Sequence, residues 1–304
     1  MASFPKLPAR AAYLHLANPS RRNALSLTVI RDLTSQLRQH LTSPSTGHLL
    51  TLPTFQPSLL REIESGQNQQ YRWLIDASEW HRQRNGLPNV LVLRSEGPVF
   101  SSGHNLKEVA SMNQEECKTL FDACAELMSL IRRSPVVVVS AVQGLATAAG
   151  AQLALTCDIA IARGSTQFQL PGMTIGLPCT SPSTAVSRRL PRSLAYRMFA
   201  TAQPVRADRL AGAVDTDFVD SDETWEARIE ATVNQLVSMP GQPQAFGKWA
   251  FWTQAGIGTG GTGGDGYEEA VRWTSTAMAM HARGGEAKEG IVAFLDKRMP
   301  EWTT

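Results

Sequence analysis

Cysteine is scarce in this chain, and the little there is forms no close pair. Of 304 residues four are cysteine, Cys117, Cys124, Cys157 and Cys179, and none makes a CxxC unit. That argues against a disulfide framework and for buried, reduced thiols. The six histidines fall at no metal-ligand spacing, and the sequence has no HExxH, GxSxG or GxxxxGK[ST]. A metal enzyme or serine hydrolase of a standard kind is therefore not expected. No apolar run approaches the roughly 20 residues that span a bilayer. Net charge is only +2 with Lys and Arg scattered, so the basic stripe of a nucleic-acid binder is missing. The string GIGTGGTGGDG (256–266) satisfies GxGxxG in several registers. It follows a helical, Trp-rich segment rather than a strand, so it reads as a loop and not as a dinucleotide site. A strand-like run already begins at Ala12, and the chain ends in Glu-Trp-Thr-Thr rather than SKL. A cytoplasmic location is expected on these grounds, with an organelle left open.

What is present is strand–helix alternation, the mark of an α/β core. Residues 12–16 read as a strand and Asn18-Pro19-Ser20 as a turn. Ser26 can cap a helix whose apolar positions are Ile30, Leu33, Leu37 and Leu41. Residues 42–86 turn polar and Gln/Ser/Pro-rich, with Trp73 and Trp80, and read as an insertion at the edge of the core. Asn89–Leu93 reads as a buried strand. Ser111–Arg133 reads as a helix with Phe121, Cys124, Met128 and Ile131 on one face, stopped by Pro135. The valine run 136–140 has the composition of a strand covered on both faces. Gly144–Gly150 opens another helix, and strand resumes at 159–162. From Arg206 onward the pattern is mainly helical. The expected division is a core over 1–205, carrying the 42–86 insertion, and a helical region over 206–304.

Two segments can bring backbone N–H groups to a ligand. Ser101-Ser102-Gly103, after the 89–93 strand, is a tight turn of small residues. Ala146–Gly150 sits where a helix begins, and a helix N-terminus offers unpaired N–H groups and partial positive charge to a developing oxyanion. Either segment alone also suits ordinary loop or helix packing. Together, NPSRRNALS (18–26), VFSSGHNLKE (99–108), GLATAAGAQLALTCDIAIA (144–162), QFQLPGMTIGL (167–177) and EAKEGIVAFLDKRMPEW (286–302) resemble the crotonase superfamily, the enoyl-CoA hydratase/isomerase family, in order and approximate spacing.

The resemblance implies a ββα spiral core with a helical C-terminal region that builds homotrimers or hexamers. It also implies an acyl-CoA thioester as partner, no further cofactor and no metal, CoA being part of the substrate. It puts the two oxyanion-hole N–H groups at His104 and Ala149. Whether the His104 imidazole faces the pocket stays open. CoA contacts are implied at Arg22 (with Arg21 nearby), Ser102, Gly103, Lys107, Phe294 and Lys297. The last two reach the adenosine end, often across a subunit boundary. The departure is in the acid–base groups. The two glutamates of the standard hydratase fall here on Gln152 and Gly172, and a position that can carry a catalytic aspartate falls on Thr180. An amide is no useful base near neutral pH, and glycine offers no side chain. Water addition needs both a base and an acid, each worth about 10²–10⁴-fold. Cys179, Ser181, Glu116 and Glu126 are substitutes to consider. Three activities stay open: a hydratase- or isomerase-like enzyme with unconventional acid–base groups, a silent CoA-thioester binder or scaffold, and a thioester hydrolase. The pocket walls are expected from the 111–133 helix, and the 42–86 insertion is a further candidate.

Overall fold

The computed structural model describes residues 4–257, 266–282 and 284–301. Residues 258–265 of the glycine-rich string and Trp302 of the last motif lie outside the described residues.

The chain winds as a spiral in which most turns give one strand to a large parallel sheet and one short extended segment to a second layer. Strand β1 (Ala11–Leu16) leads through the 18–26 loop into helix α1 (Leu27–Leu41). Ser26 caps that helix by accepting from the Val29 N–H at 3.2 Å, as its position before an apolar stripe predicts. Ile30, Leu33, Leu37 and Leu41 are its buried face. The 42–86 insertion carries helices α2 (Leu59–Glu64) and α3 (Ala77–Arg84) and a 3-10 segment, Gln69–Leu74. It has a small core of its own.

Strand β2 (Val90–Ser95) is buried throughout. The helix expected over 111–133 is α5 (Gln114–Arg132), and a short helix that was not expected, α4 (Leu106–Ser111), precedes it. Asn113 breaks the run: its side chain accepts from the Glu116 N–H while Glu116 accepts from the Asn113 N–H, a capping box that starts a new helix. Next come β3 (Val137–Val142), β4 (Leu145–Thr147), α6 (Ala149–Thr156), β5 (Ile159–Arg163) and β6 (Gln167–Gln169). Helices α7 (Thr180–Arg189) and α8 (Arg192–Thr201) lead to β7 (Val205–Arg206) and β8 (Asp215–Asp217). Helices α9 (Asp222–Ser238), α10 (Gly241–Ala255), α11 (Tyr267–His281) and α12 (Gly285–Asp296) complete the chain.

The five-stranded sheet runs β1-β2-β3-β5-β8 with every neighbour parallel. Strand β8 lies beyond residue 205, so the region after it is helical except for the short β7 and this edge strand. The second layer is a ladder of short pieces. Leu25 pairs with His104, Ser101 pairs with Ala146, β4 pairs with β6, and β6 with β7. This ladder positions the site, because loops from consecutive turns become adjacent rungs. Helix α5 packs on α1 and α11, and α12 packs on α4 and on the 3-10 turn Pro171–Ile175.

Candidate active site

Asn23 ties the first two rungs together. It is fully buried; its side-chain N–H groups donate to the carbonyls of Glu96 and Val99, both at 2.8 Å, and its Oδ1 accepts from the Asn18 N–H at 2.9 Å. The Ser101 hydroxyl donates to the Asn23 carbonyl at 2.8 Å, and the Ser102 N–H to the Arg22 carbonyl at 3.0 Å. The Leu25 N–H donates to the Gly103 carbonyl at 2.7 Å. These bonds join both loops, so the 101–104 turn is held at both sides.

The third rung meets that turn at Gly103 and Gly150. Gly103 has φ +78°, which an L-residue adopts only with strain, and a Cβ there would lie 2.8 Å from the Ala148 Cβ and 3.3 Å from the Ala149 N. A Cβ on Gly150 would lie 2.5 Å from the Ser101 carbonyl oxygen. Ala148 itself is strained, at φ +50° and ψ −122°, a conformation that costs about 1–3 kcal/mol outside glycine. Its N–H donates to the Gln169 carbonyl at 2.9 Å, so β6 holds the strained residue in place. The result is that α6 starts abruptly against the turn. Neither the His104 N–H nor the Ala149 N–H donates to any acceptor among the described residues, and the segments that carry them pair side by side through Ser101 and Ala146. Two open backbone donors beside one space can share an oxyanion.

That space is a cavity of about 390 Å³, with Arg22, Ser102, His104, Thr147 and Ala148 on its wall. Its apolar side comes from Leu106 and Val109 of α4, Phe121 of α5, Ile175 and Leu177 of the 171–177 loop, Met278 of α11 and Phe294 of α12. No residue of the 42–86 insertion lines it. Phe294 lines the cavity of its own chain, while its ring is also largely exposed.

The ionisable side chains on the wall are Arg22, His104 and Cys179. His104 is a residue of this wall. Its Nδ1 lies 3.2 Å from the Leu25 carbonyl oxygen, and its ring meets Phe121 edge-on at 4.9 Å. Burial holds its pKa down to about 4, against the partial support of the Leu25 bond. Burial pushes the Cys179 thiol up to about 12, although the Gly172 N–H donates to its sulfur at 3.2 Å. A thiolate nucleophile at 179 is therefore excluded near neutral pH.

The remaining residues singled out from sequence lie elsewhere. Gln152 is fully buried on α6 and faces α7: its Nε2 donates to Ser181 Oγ at 3.2 Å and approaches Thr184 Oγ1 at 3.5 Å. It is not on the cavity wall, and neither is Thr180, whose hydroxyl donates to the Thr274 carbonyl at 3.3 Å. Gly172 is on the wall, but a Cβ there would lie 2.0 Å from the Leu177 carbonyl oxygen and 2.8 Å from Cys179 Sγ. Glu116 is spent on its capping box, and Glu126 pairs with Arg38 at 2.8 Å on the surface. Lys107 and Lys297 are exposed and off the wall, and Arg21 is exposed too. The sequence reasoning missed Asn23 and Ser101 as the fasteners of the turn. Both stand inside the motifs that carried the resemblance, and Asn23 is buried beside two exposed arginines, which no apolar pattern in the sequence announces. Among the described residues no group of three or more His, Cys, Asp or Glu could hold a metal, and no helix is long and apolar enough to cross a membrane.

With the fold and this site in view, the chain belongs to the enoyl-CoA hydratase/isomerase family: residues 82–304 match the family profile described as "Enoyl-CoA hydratase/isomerase". It has the crotonase fold, and members of its family bind acyl-CoA substrates. Among its relatives is the rat protein named "Enoyl-CoA hydratase domain-containing protein 3, mitochondrial", 32% identical over 289 residues, covering 95% of this chain and 80% of that one. The crystal structure of the human protein of that name superposes with a TM-score of 0.63 at 28% identity, over 98% of each chain. A more distant relative is "2,3-dehydroadipyl-CoA hydratase" of Escherichia coli, 28% identical over 217 residues, covering 70% of this chain and 80% of that one. The word mitochondrial in the rat relative's name gives no support to the cytoplasmic expectation.

Proposed function

We propose that this protein binds an acyl-CoA thioester with its carbonyl oxygen between the N–H groups of His104 and Ala149, and that it stabilises the enolate of that thioester. The observation that carries this reading is two backbone N–H groups without acceptors, those of His104 on the wall of a largely apolar cavity and of Ala149 next to the wall residue Ala148. Donors of this kind, fixed before the reaction, are each worth about 3–4 kcal/mol to an oxyanion. Arg22 borders the same cavity and offers an exposed cation to CoA. Ser102 lines the cavity, and Gly103, Lys107, Phe294 and Lys297 are the remaining CoA contacts.

Within that reading the chemistry is isomerase-like proton transfer beside the carbonyl rather than water addition by two carboxylates. Gln152 faces α7, Gly172 has no room for a side chain, and among the described residues no carboxylate borders the cavity. Moving one proton needs one base, whereas hydration needs a base and an acid. The same lack of carboxylates also favours a second reading, a CoA-thioester binder without turnover. We extend to this chain the mitochondrial setting in its relatives' names, and an assembly of three or six copies.

The test is mass spectrometry of saturated, 2-enoyl- and 3-enoyl-CoA thioesters after incubation with the protein in heavy water. Deuterium beside the carbonyl, or migration of the double bond, is expected. A mass gain of one water supports hydration instead, and free CoA supports thioester hydrolysis. Binding with every thioester returned unchanged establishes the silent binder.

A further inference from the structure

Among the described residues the cavity wall has one side chain that could accept a proton at neutral pH, and it sits on the residue proposed to supply an oxyanion donor. A backbone carbonyl can only accept, so the contact between His104 Nδ1 and the Leu25 oxygen at 3.2 Å fixes the proton on Nδ1. Nε2 is then the unprotonated nitrogen, and it has no hydrogen-bond partner among the described residues. The ring is oriented twice, by the Leu25 bond and by the edge contact with Phe121. This is the arrangement of a base with its orienting acceptor. The imidazole is joined through Cα to the N–H that would hold the thioester oxygen, so it borders the cavity next to the carbonyl rather than at the far end of the acyl chain.

We propose that His104 Nε2 takes the proton from the α-carbon of the bound thioester and returns it. This rests on the acyl-CoA reading above. In the first step the Cα–H bond breaks, an N–H bond forms at Nε2, and the C–H electron pair moves to the carbonyl oxygen as an enolate held by the two N–H groups. Reprotonation at the same carbon gives exchange. With a 3-enoyl thioester, reprotonation at the γ-carbon gives the 2-enoyl isomer. No oxidant, metal or second substrate is needed. A conjugate-acid pKa of about 4 makes the ring as strong a base as an ordinary glutamate, near 4.3, so it can replace the carboxylates that the cavity lacks. The charged or titratable groups that share the cavity wall with it are Arg22 and Cys179, the latter a neutral thiol. Burial is what keeps the resting imidazole neutral.

The experiment uses butyryl-CoA and 3-hexenoyl-CoA with the full chain and the variants His104→Gln and His104→Phe. Both variants keep the backbone N–H, and the Gln amide keeps a donor for the Leu25 carbonyl. Calorimetric binding and α-deuterium exchange are measured on each. The expected result is exchange slowed by about 10²–10⁴-fold, with affinity for butyryl-CoA changed by less than about threefold. The wild-type rate should rise with pH through about 4 and then level off, and the variants should lose that inflection. Exchange retained in either folded variant overturns the role of His104 and leaves the acyl-CoA reading standing. Wild-type binding without exchange overturns the proton transfer and leaves only the binder. No binding of either thioester overturns both.

Discussion

Gly172 shows how a missing side chain can be a packing requirement as well as a chemical loss. Its carbonyl accepts from the Leu177 N–H at 2.9 Å, and its N–H donates to Cys179 Sγ. The 171–177 loop therefore folds back over the position where a side chain would start. A Cβ 2.0 Å from the Leu177 carbonyl oxygen forces the loop to move. Gly172→Ala is thus expected to lose about 1–3 kcal/mol in urea unfolding, and Gly172→Glu at least as much. The pair Gln152→Glu with Gly172→Glu is expected to show no hydration of 2-enoyl-CoA. Stability of Gly172→Ala within about 0.5 kcal/mol of the parent would mean that the loop opens freely and that the missing glutamate has no steric cause. The substitution itself was readable along the chain, because motif order fixes which residue stands at 172. The reason for it was not, since the obstruction is a carbonyl placed by the turn at Gly176. The direction of the His104 ring was equally hidden. It depends on Leu25, 79 residues earlier, and only the spiral brings the two rungs together.

The elements divide in the same way. Helix α1 and the buried strands were legible because each reads from its own spacing: a cap followed by residues at helical intervals, or a run of valines. Helix α5 was legible from its apolar spacing too, with its start set three residues early because the capping box at Asn113 is a local signal that periodicity does not weigh, and the short α4 before it was not read. The insertion was read as a polar edge, yet Leu52, Phe55, Trp73 and Trp80 pack with Ala245 and Trp249 of α10 into a separate core. Its partner lies some 170 residues later, so no window of sequence could pair them. Helix α10 is fastened in turn by Lys248, whose Nζ meets Asp158 Oδ2 at 2.7 Å and the carbonyls of Ile131 and Val136 at 3.4 and 3.3 Å. Both side chains of the ion pair are largely buried, and burial lowers the Lys248 pKa against the pull of Asp158. Removing one partner leaves the other charge uncompensated. Lys248→Ala is expected to cost about 3–5 kcal/mol, read by chemical denaturation, and to expose the insertion to proteolysis. Adding Asp158→Asn should recover part of the loss. Equal instability in the single and double variants would instead assign the anchoring to packing alone.

At the scale of the whole molecule, the order of the motifs foretold the spiral, because each motif is one turn's contribution to the ladder. What order alone could not convey is that the cavity closes within one chain. Helix α12 lies over α4 and the 171–175 turn and delivers Phe294 to its own site, so the main walls need no second copy. The molecule nevertheless leaves Tyr196, the adjacent pair Phe218 and Val219, and Met299 strongly exposed. Large apolar side chains left in water favour association. Sedimentation velocity is expected to give three or six times the 33.1 kDa of one chain. If each cavity is complete, diluting the assembly until it dissociates should change butyryl-CoA affinity by less than about threefold, under half of the 1.4 kcal/mol that a tenfold change represents. A large loss of affinity on dissociation would instead mean that the adenosine end of CoA is held by a neighbouring chain, with Lys297 the first residue to substitute. A single-chain mass at every concentration would remove the assembly and leave the cavity argument untouched, because the groups that define the oxyanion site and its apolar wall come from one spiral.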